Sequence, residues 1–507
     1  MDLNLPCWHK KLQQHKKTGH LIAVLAGASI TAGLAPFNVW LFLLLSPVAF
    51  WLLLAGLTPK QSALRSFFYG FGLFTAGASW VYVSIHEHGN APIILAGGLT
   101  LLFTSALALF HVLFGYLWGR IAPNKYLANL LLFSFAWTLL EVFRGWFLTG
   151  FPWLYIGYGL TDSPFSGLLP LAGVHGAGIW MVLASLLLFY ALSCKNLLTG
   201  MAASLLLISG GLSSQVEWSE VSGQKTVGLV QPAIPQQDKW LRQNLRPQLD
   251  FHLQQTKDLF QKTDLVIWPE TAIPALAWQV EKWIAGLDQL AKDNQATVIF
   301  GIPANTENGD GYQNVVFAVG EGSGRYNKVH LVPFGEYVPL ESFLRGIIEF
   351  FNLPMSGFTA GNQNQPPLTA GEQTLGPMIC YEVAYQNLGW LQAKQSDWLL
   401  TVSNDAWFGT SLGPDQHFQI VRTRALETGK PFIRVTNDGI TAAIDHKGQV
   451  IQRMDRFAKG SIAVAVPLVT GTTLFMQIGP YLPILFCSFI CLIAVFFKVK
   501  NRNVKAN

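Results

Sequence analysis

Charge is nearly absent from a long part of this chain. Between residues 66 and 192 only six side chains are Asp, Glu, Lys or Arg. A soluble domain carries roughly 25% charged residues, so this stretch is built for an apolar solvent. Residues 219–470, by contrast, have the mixed composition of a globular domain. Over all 507 residues 51% are hydrophobic and 12% charged. That balance excludes disorder and argues against a purely soluble enzyme. The net charge of +5 is small for this length. It fits membrane orientation better than a nucleic-acid footprint, so no nucleic-acid partner is expected.

A hydrocarbon core about 30 Å thick takes about 20 apolar residues in a helix. The apolar runs predict seven spans within 20–213, near 20–37, 39–57, 66–85, 92–118, 127–149, 172–192 and 196–213. An eighth is predicted over 479–498. Lys and Arg beside spans mark the cytoplasmic side. They stand at Lys10, Lys11, Lys16 and Lys17, at Lys60 and Arg65, at Arg120 and Lys125, at Lys195, and at Lys498, Lys500, Arg502 and Lys505. The loops near 85–91 and 150–171 have none. This pattern predicts cytoplasmic tails over 1–19 and 499–507, with 215–478 on the outer face. The first span is read as a retained anchor, since no small-residue cleavage site follows it.

The fifth span carries Glu141 and Arg144, an i, i+3 pair. A charge at mid-bilayer costs about 2.5–3.5 kcal/mol, so pairing or an inward position is expected. A structural ion pair and contact with a lipid head group are both open.

The outer domain alternates short β-branched runs with helical stretches. Strands are predicted at 226–231, 264–270, 296–303, 314–320, 375–382, 397–405, 432–439, 441–448 and 461–467, and helices near 240–262, 277–294 and 415–428. That alternation implies an α/β layered domain with its sheets buried. Polar residues gather at strand ends: Glu270 after DLVIWP, Cys380, Tyr381 and Glu382 after MI, and Asn404 and Asp405 after TVS. Carboxyl ends of such strands commonly hold ligand chemistry. Neither a phosphate loop nor a dinucleotide fingerprint is present.

Of five cysteines only Cys380 lies in the outer domain. An internal disulfide or a thiolate metal cluster there is excluded. By position alone Cys380 reads either as a buried apolar thiol or as a nucleophile. Two polar residues directly after it favour the nucleophile. A thiol near pKa 8.5 needs a base or a neighbouring cation. Glu270 is the candidate base and Lys328 the candidate cation. Taken singly, Glu270 could be a strand-end cap, and Lys328 and Glu336 solvated charges. His86 and His88 form an HEH motif that ligates a metal only if further ligands join it. It reads as a polar loop, and no metal is expected.

Three segments then act together. WPE at 268–270, YNKVHLVPFGEYVP at 326–339 and ICYE at 379–382 resemble the nitrilase (carbon-nitrogen hydrolase) superfamily, with its Glu-Lys-Cys triad on an αββα sandwich. QPAIPQQDKW (231–240), RYNKVHLVPFGEYVPLES (325–342), SNDAWFG (403–409) and HFQ (417–419) look like the apolipoprotein N-acyltransferases, as does the order of spans and outer domain. Pro232 and Ala233 replace that family's usual Gly-Asn. The resemblance implies a multi-pass α-helical bundle in the bacterial inner membrane carrying a periplasmic nitrilase-like domain. It also implies the reaction. An acyl chain passes from the sn-1 position of a phospholipid, typically phosphatidylethanolamine, to Cys380 as a thioester. It passes next to the α-amino group of a diacylated apolipoprotein, by ping-pong kinetics.

On this resemblance Cys380 is the nucleophile and Glu270 the general base. Lys328 stabilises the oxyanion, with the Tyr381 amide as a candidate second donor. Glu336 holds Lys328 or Glu270. Tyr381 and Glu382 line the site. Trp240, Asn404 and Trp407 are candidate substrate contacts, Trp240 alternatively simple packing. The thioester must meet an amine and not water, which suits a site open to the bilayer. The apolar run 344–358, with Phe351 and Met355, is read as a flap dipping into the lipid interface, or else as a core helix and turn. The chemistry needs no cofactor, and a monomer is expected.

Two other readings compete. A membrane-tethered amidase or nitrilase acting on a small soluble substrate needs only one or two spans. A transporter with a regulatory outer domain predicts broken helices in symmetric halves, and no repeat is found.

Overall fold

A computed structural model describes residues 15–337 and 357–506, with side chains to residue 498. It divides into two compact units. One holds the chain to Tyr82, Ala91–Val216 and the stretch from Gln477 onward, and the other holds Val83–Asn90 and Glu217–Met476.

The first unit is helical: α1 (Lys16–Ala32), α2 (Leu41–Leu54), α3 (Pro59–Gly77), α4 (Ile93–Ile121), α5 (Tyr126–Trp146), α6 (Leu169–Cys194), α7 (Leu197–Leu212) and a C-terminal helix, Tyr481–Ala506. A helix occupies each of the eight predicted stretches, but not every one is a full span. Among the described residues five are long and apolar enough to cross a bilayer. A sixth joins them if α3 and Val81–His88, bent by 63°, are taken as one span. With 17 and 14 residues, α1 and α2 reach only about 26 and 21 Å at 1.5 Å per residue. Apolar runs alone did not reveal this, because Gly33 to Trp40 reverse the chain inside an equally apolar context.

α3 begins on a capping box, in which Thr58 and Gln61 satisfy each other's main chain behind Pro59. Small residues let α1 and α3 touch backbone to backbone. A Cβ on Gly27 would stand 1.9 Å from the Tyr69 carbonyl oxygen, and one on Gly72 2.0 Å from that of Val24. Glu141 and Arg144 are buried. Glu141 Oε1 accepts the Ile156 N–H at 2.9 Å, and Arg144 Nη1 donates to the carbonyls of Phe151 and Trp153. These bonds tie the 151–156 segment to α5.

The second unit stacks two six-stranded sheets. The first has the order β12-β1-β2-β3-β4-β5, where β1 is Ser219–Gln231, β2 Leu265–Ile267, β3 Thr297–Asn305, β4 Tyr312–Gly320, β5 Gly324–Asn327 and β12 Gly460–Gly471. The second has the order β11-β10-β9-β8-β7-β6, where β6 is Leu368–Ala370, β7 Gln373–Ile379, β8 Trp398–Ser403, β9 Phe432–Thr436, β10 Ala442–Ile444 and β11 Val450–Arg453. β1-β2-β3 and β7-β8-β9 are parallel, with antiparallel strands at the edges. All nine predicted strands are present. The short edge strands β5, β6 and β11 were not predicted.

Helices α8 (Leu245–Leu259) and α9 (Glu281–Asp293) follow β1 and β2, and α10 (Gln386–Lys394) and α11 (Gly413–Thr428) follow β7 and β8. One apolar core joins the two sheets through Leu229, Ile267, Ile379, Leu400 and Val435. A second packs Leu249, Leu259 and Leu287 against Trp268 and Phe300. The layers are therefore αββα. β3 and β8 are buried nearly throughout, which is why they read as continuous apolar runs.

Candidate active site

Parallel strands end on the same edge of each sheet, and three of these ends carry the polar residues. Glu270 follows β2 after Trp268, which is fully buried and pins the strand end in the core. Its turn crosses β3 at Gly301, where a Cβ would stand 2.6 Å from the Thr271 nitrogen and 2.7 Å from the Glu270 Cα. Only glycine admits that approach. Lys239 Nζ, buried, donates to the Glu270 carbonyl at 3.1 Å, and burial lowers its ammonium to about 8.

Lys328 follows β5 and is 1% exposed. Its Nζ lies 2.8 Å from Glu336 Oε1 and 3.4 Å from Glu270 Oε1. Burial opposes its charge, but Glu336 and Glu270 outweigh burial and hold the ammonium above its ordinary value. Asn314 on β4 bridges the same carboxylates, donating Nδ2–H to Glu270 at 2.7 Å and to Glu336 at 3.2 Å. Glu336 Oε2 also accepts the Val332 N–H at 2.8 Å. Glu270 and Glu336 thus share one ammonium.

Cys380 opens a single helical turn after β7, with φ +54°. Burial and the Glu270 carboxylate push its thiol up to about 12, against the opposing pull of Lys328. The resting group is a protonated thiol beside the Glu270 side chain. Glu382 turns away from the thiol. It accepts the N–H groups of Val329, His330 and Ile379 at 2.6–3.0 Å and the Tyr326 hydroxyl at 3.1 Å. It therefore ties the Lys328 loop to the Cys380 turn. Tyr381 packs edge-on to Tyr385, which stacks on His330.

Behind the thiol lies a buried polar group to which the sequence reading assigned no role. His417 Nε2 is 3.0 Å from the Cys380 carbonyl oxygen. Only an N–H satisfies a carbonyl, so Nε2 donates there, while Nδ1 lies 3.1 Å from Arg434 Nη2 and 3.2 Å from Asp405 Oδ1. Burial, and then Arg434, lower the imidazole pKa, against the opposing pull of Asp405. Arg434 also pairs with Asp405 at 2.5 Å, and Ser403 donates to Asp405 at 2.8 Å. Burial works against the Asp405 charge, yet Arg434 and His417 hold its carboxyl well below the usual range. One signal was available in the sequence: an arginine inside the apolar strand FIRVT. Asn314, at the head of NVVFAVG, is a similar case.

The structure thus joins Glu270, Lys328 and Glu336 directly and sets the charges of Glu270 and Lys328 on Cys380. The other candidates are more scattered. Asn404 donates to Gln236 at 2.7 Å, and its Oδ1 is buried without a hydrogen bond. Trp240 is 36% exposed at the end of the turn that carries Lys239. Trp407 packs edge-on against His88, and its carbonyl accepts from Ser84 at 2.8 Å. Phe351 and Met355, with most of the 344–358 run, lie outside the described residues. His88 of the HEH motif bonds the Ala406 carbonyl. Among the described residues no three His, Cys, Asp or Glu are grouped as a metal site.

An αββα sandwich with a carboxylate, an ammonium and a thiol at its strand ends defines a carbon-nitrogen hydrolase domain. The apolar helices make the chain a membrane protein. The carbon-nitrogen hydrolase family model matches residues 226–474, and the model for the apolipoprotein N-acyltransferase N-terminal domain matches 26–187. The apolipoprotein N-acyltransferase of Pseudomonas syringae pv. tomato is 43% identical over 87% of this chain and 89% of its own. That of Pseudomonas aeruginosa is 42% identical over 90% and 92%, and that of Photobacterium profundum 39% over 95% of each. The chain belongs to the apolipoprotein N-acyltransferase family. Among solved structures, yeast Nit3 of the nitrilase superfamily overlays on 49% of this chain and 91% of its own, at 19% identity and a TM-score of 0.38.

Proposed function

We propose that this protein transfers an acyl chain from a phospholipid to the α-amino group of the N-terminal S-diacylglyceryl cysteine of apolipoproteins. The observation that carries the mechanism is the Lys328 ammonium held between Glu270 and Glu336 beside a protonated Cys380 thiol. Cys380 Sγ attacks the sn-1 ester carbonyl of the phospholipid, first of all phosphatidylethanolamine, as its proton passes to Glu270. The oxyanion forms beside Lys328. Collapse expels the sn-1 alkoxide, which takes the proton from Glu270 and leaves as lysophospholipid. The acceptor amine then attacks the thioester and gives its proton to Glu270. The Cys380 thiolate departs and is reprotonated, and an amide is released.

Glu336 and Asn314 orient this group, and Glu382 and His417 hold the two loops that carry Lys328 and Cys380. No step calls for a cofactor, and one chain suffices. The Lys and Arg distribution supports both termini in the cytoplasm and the catalytic domain in the periplasm, on the bacterial inner membrane. The tethered-amidase reading is not favoured, since relatives matching along nine-tenths of the chain carry the acyltransferase name. Intact mass spectrometry after incubation with phospholipid alone tests the proposal. Wild type should gain one acyl chain, labile to hydroxylamine, discharged by a diacylated lipopeptide and absent from Cys380→Ala. A folded wild type that forms no adduct yet cleaves small amides would return the amidase reading.

A further inference from the structure

We propose that Arg65 of α3 and the first turn of α1 together bind a phosphate group, of the kind a phospholipid head group carries. Arg65 is 2% exposed. Its guanidinium lies over Gly19, where a Cβ would stand 2.2 Å from Nη1 and 2.4 Å from Cζ. Its Nε and Nη1 are buried without a hydrogen-bond partner, and no described carboxylate pairs with it. A long cationic side chain near a helix end normally snorkels to the interface. This one turns inward instead, and a buried cation without a counter-charge is strongly unfavourable.

It faces more positive charge. α1 and α3 run in the same direction, since Gly19 meets Arg65 and Gly27 meets Tyr69 and Leu73. Their amino-terminal ends therefore lie together. The N–H groups of Lys16, Lys17 and Thr18 precede the first intrahelical bond, from the Gly19 N–H to the His15 carbonyl at 3.0 Å. His15 supplies no side-chain cap and the first turn holds no acid. The exposed Lys16, Lys17 and Lys60 stand at the same end. A helix amino terminus with an arginine fork and flanking lysines is an anion site, and the fork matches phosphate oxygens. At the edge of a bilayer that anion is a lipid phosphate.

The test uses the full chain in a neutral detergent. Native mass spectrometry compares retention of palmitoyl-oleoyl phosphatidylglycerol with that of dioleoylglycerol, which has no phosphate. Wild type should retain one phosphatidylglycerol beyond the diacylglycerol level. Arg65→Gln should weaken this at least tenfold. Lys16→Gln/Lys17→Gln, at exposed positions that leave the fold intact, should weaken it severalfold. The Cys380 site is unaltered in these variants, so its own lipid cancels in the comparison. Inorganic phosphate raising the melting temperature of wild type but not of Arg65→Gln, with no difference in lipid retention, would assign the site to free phosphate. Equal retention and equal melting in wild type and both variants would overturn the proposal. So would Asp2→Asn destabilising the protein as much as Arg65→Gln with phosphate having no effect, because Arg65 would then be paired within the chain.

Discussion

Replacing Glu270 by Gln should move two properties of Cys380 in opposite directions. The thiol stands at about 12 against an ordinary value of 9.0, a difference of about 4 kcal/mol against the thiolate. At pH 7 roughly one thiol in 100,000 is then ionised. After burial, the Glu270 carboxylate is the largest cause, so its neutralisation lowers the thiol pKa. Each pKa unit of lowering multiplies the thiolate fraction about tenfold. The less basic thiolate is also about threefold less nucleophilic. Alkylation of Cys380 should therefore accelerate roughly threefold per unit, while acyl transfer loses its base and falls by about 10²–10⁴. The assay is iodoacetamide labelling of the full chain, read on the peptide that contains Cys380, because Cys194, Cys487 and Cys491 are also free thiols. If labelling and acyl transfer fall together, Glu270 already ionises the thiol at rest and the reasoning fails. A labelling rate in wild type that levels off below pH 8 would refute it equally.

Three further outcomes follow from the geometry. His417→Asn removes the donor to the Cys380 carbonyl. It should lower kcat by roughly 10²-fold, as for a reacting atom misplaced by about 1 Å, with KM little changed; a KM effect alone would contradict this positioning role. Gly301→Ala drives a methyl into the Glu270 turn and should destabilise the domain by about 1–3 kcal/mol, so an unchanged melting temperature would remove the argument. Asp438 is raised to about 7, by burial and then by Asp405. A carboxyl raised above its unfolded value contributes stability below about pH 4 and loses it as pH rises through about 7. Asp438→Asn should therefore melt higher than wild type at pH 8, by up to about 4 kcal/mol in stability, and the gap should close near pH 4; a pH-independent gap would show that Asp438 is not the titrating group.

Much of the architecture was legible from one dimension. Scarcity of charge marked the helical unit because a bilayer tolerates almost none. Continuous apolar runs such as DWLLTVS marked strands buried on both faces, and the polar residue closing each run marked a strand end. Glu270, Lys328 and Cys380 could be singled out because a thiol needs a base and a cation, and because WPE, YNK and ICYE occur in one order.

What the linear chain could not show is which residues share space across sheets. Asn314 meets Glu270 from 44 positions along the chain, and His417 reaches Cys380 from α11, 37 positions on; no local pattern shows either contact. Glu382, adjacent to the nucleophile in sequence, turns to the Lys328 loop instead, because a 3₁₀ turn rotates successive side chains apart. The lengths of α1 and α2 and the bend after α3 were equally hidden, since hydropathy measures solvent preference and not where a helix breaks. Composition and periodicity therefore determined the solvent of each segment and the kind of element it forms, as these are properties of neighbouring residues. Tertiary structure alone decided the charge balance around the thiol, because the electrostatics of a buried site depend on distances between residues far apart in the chain.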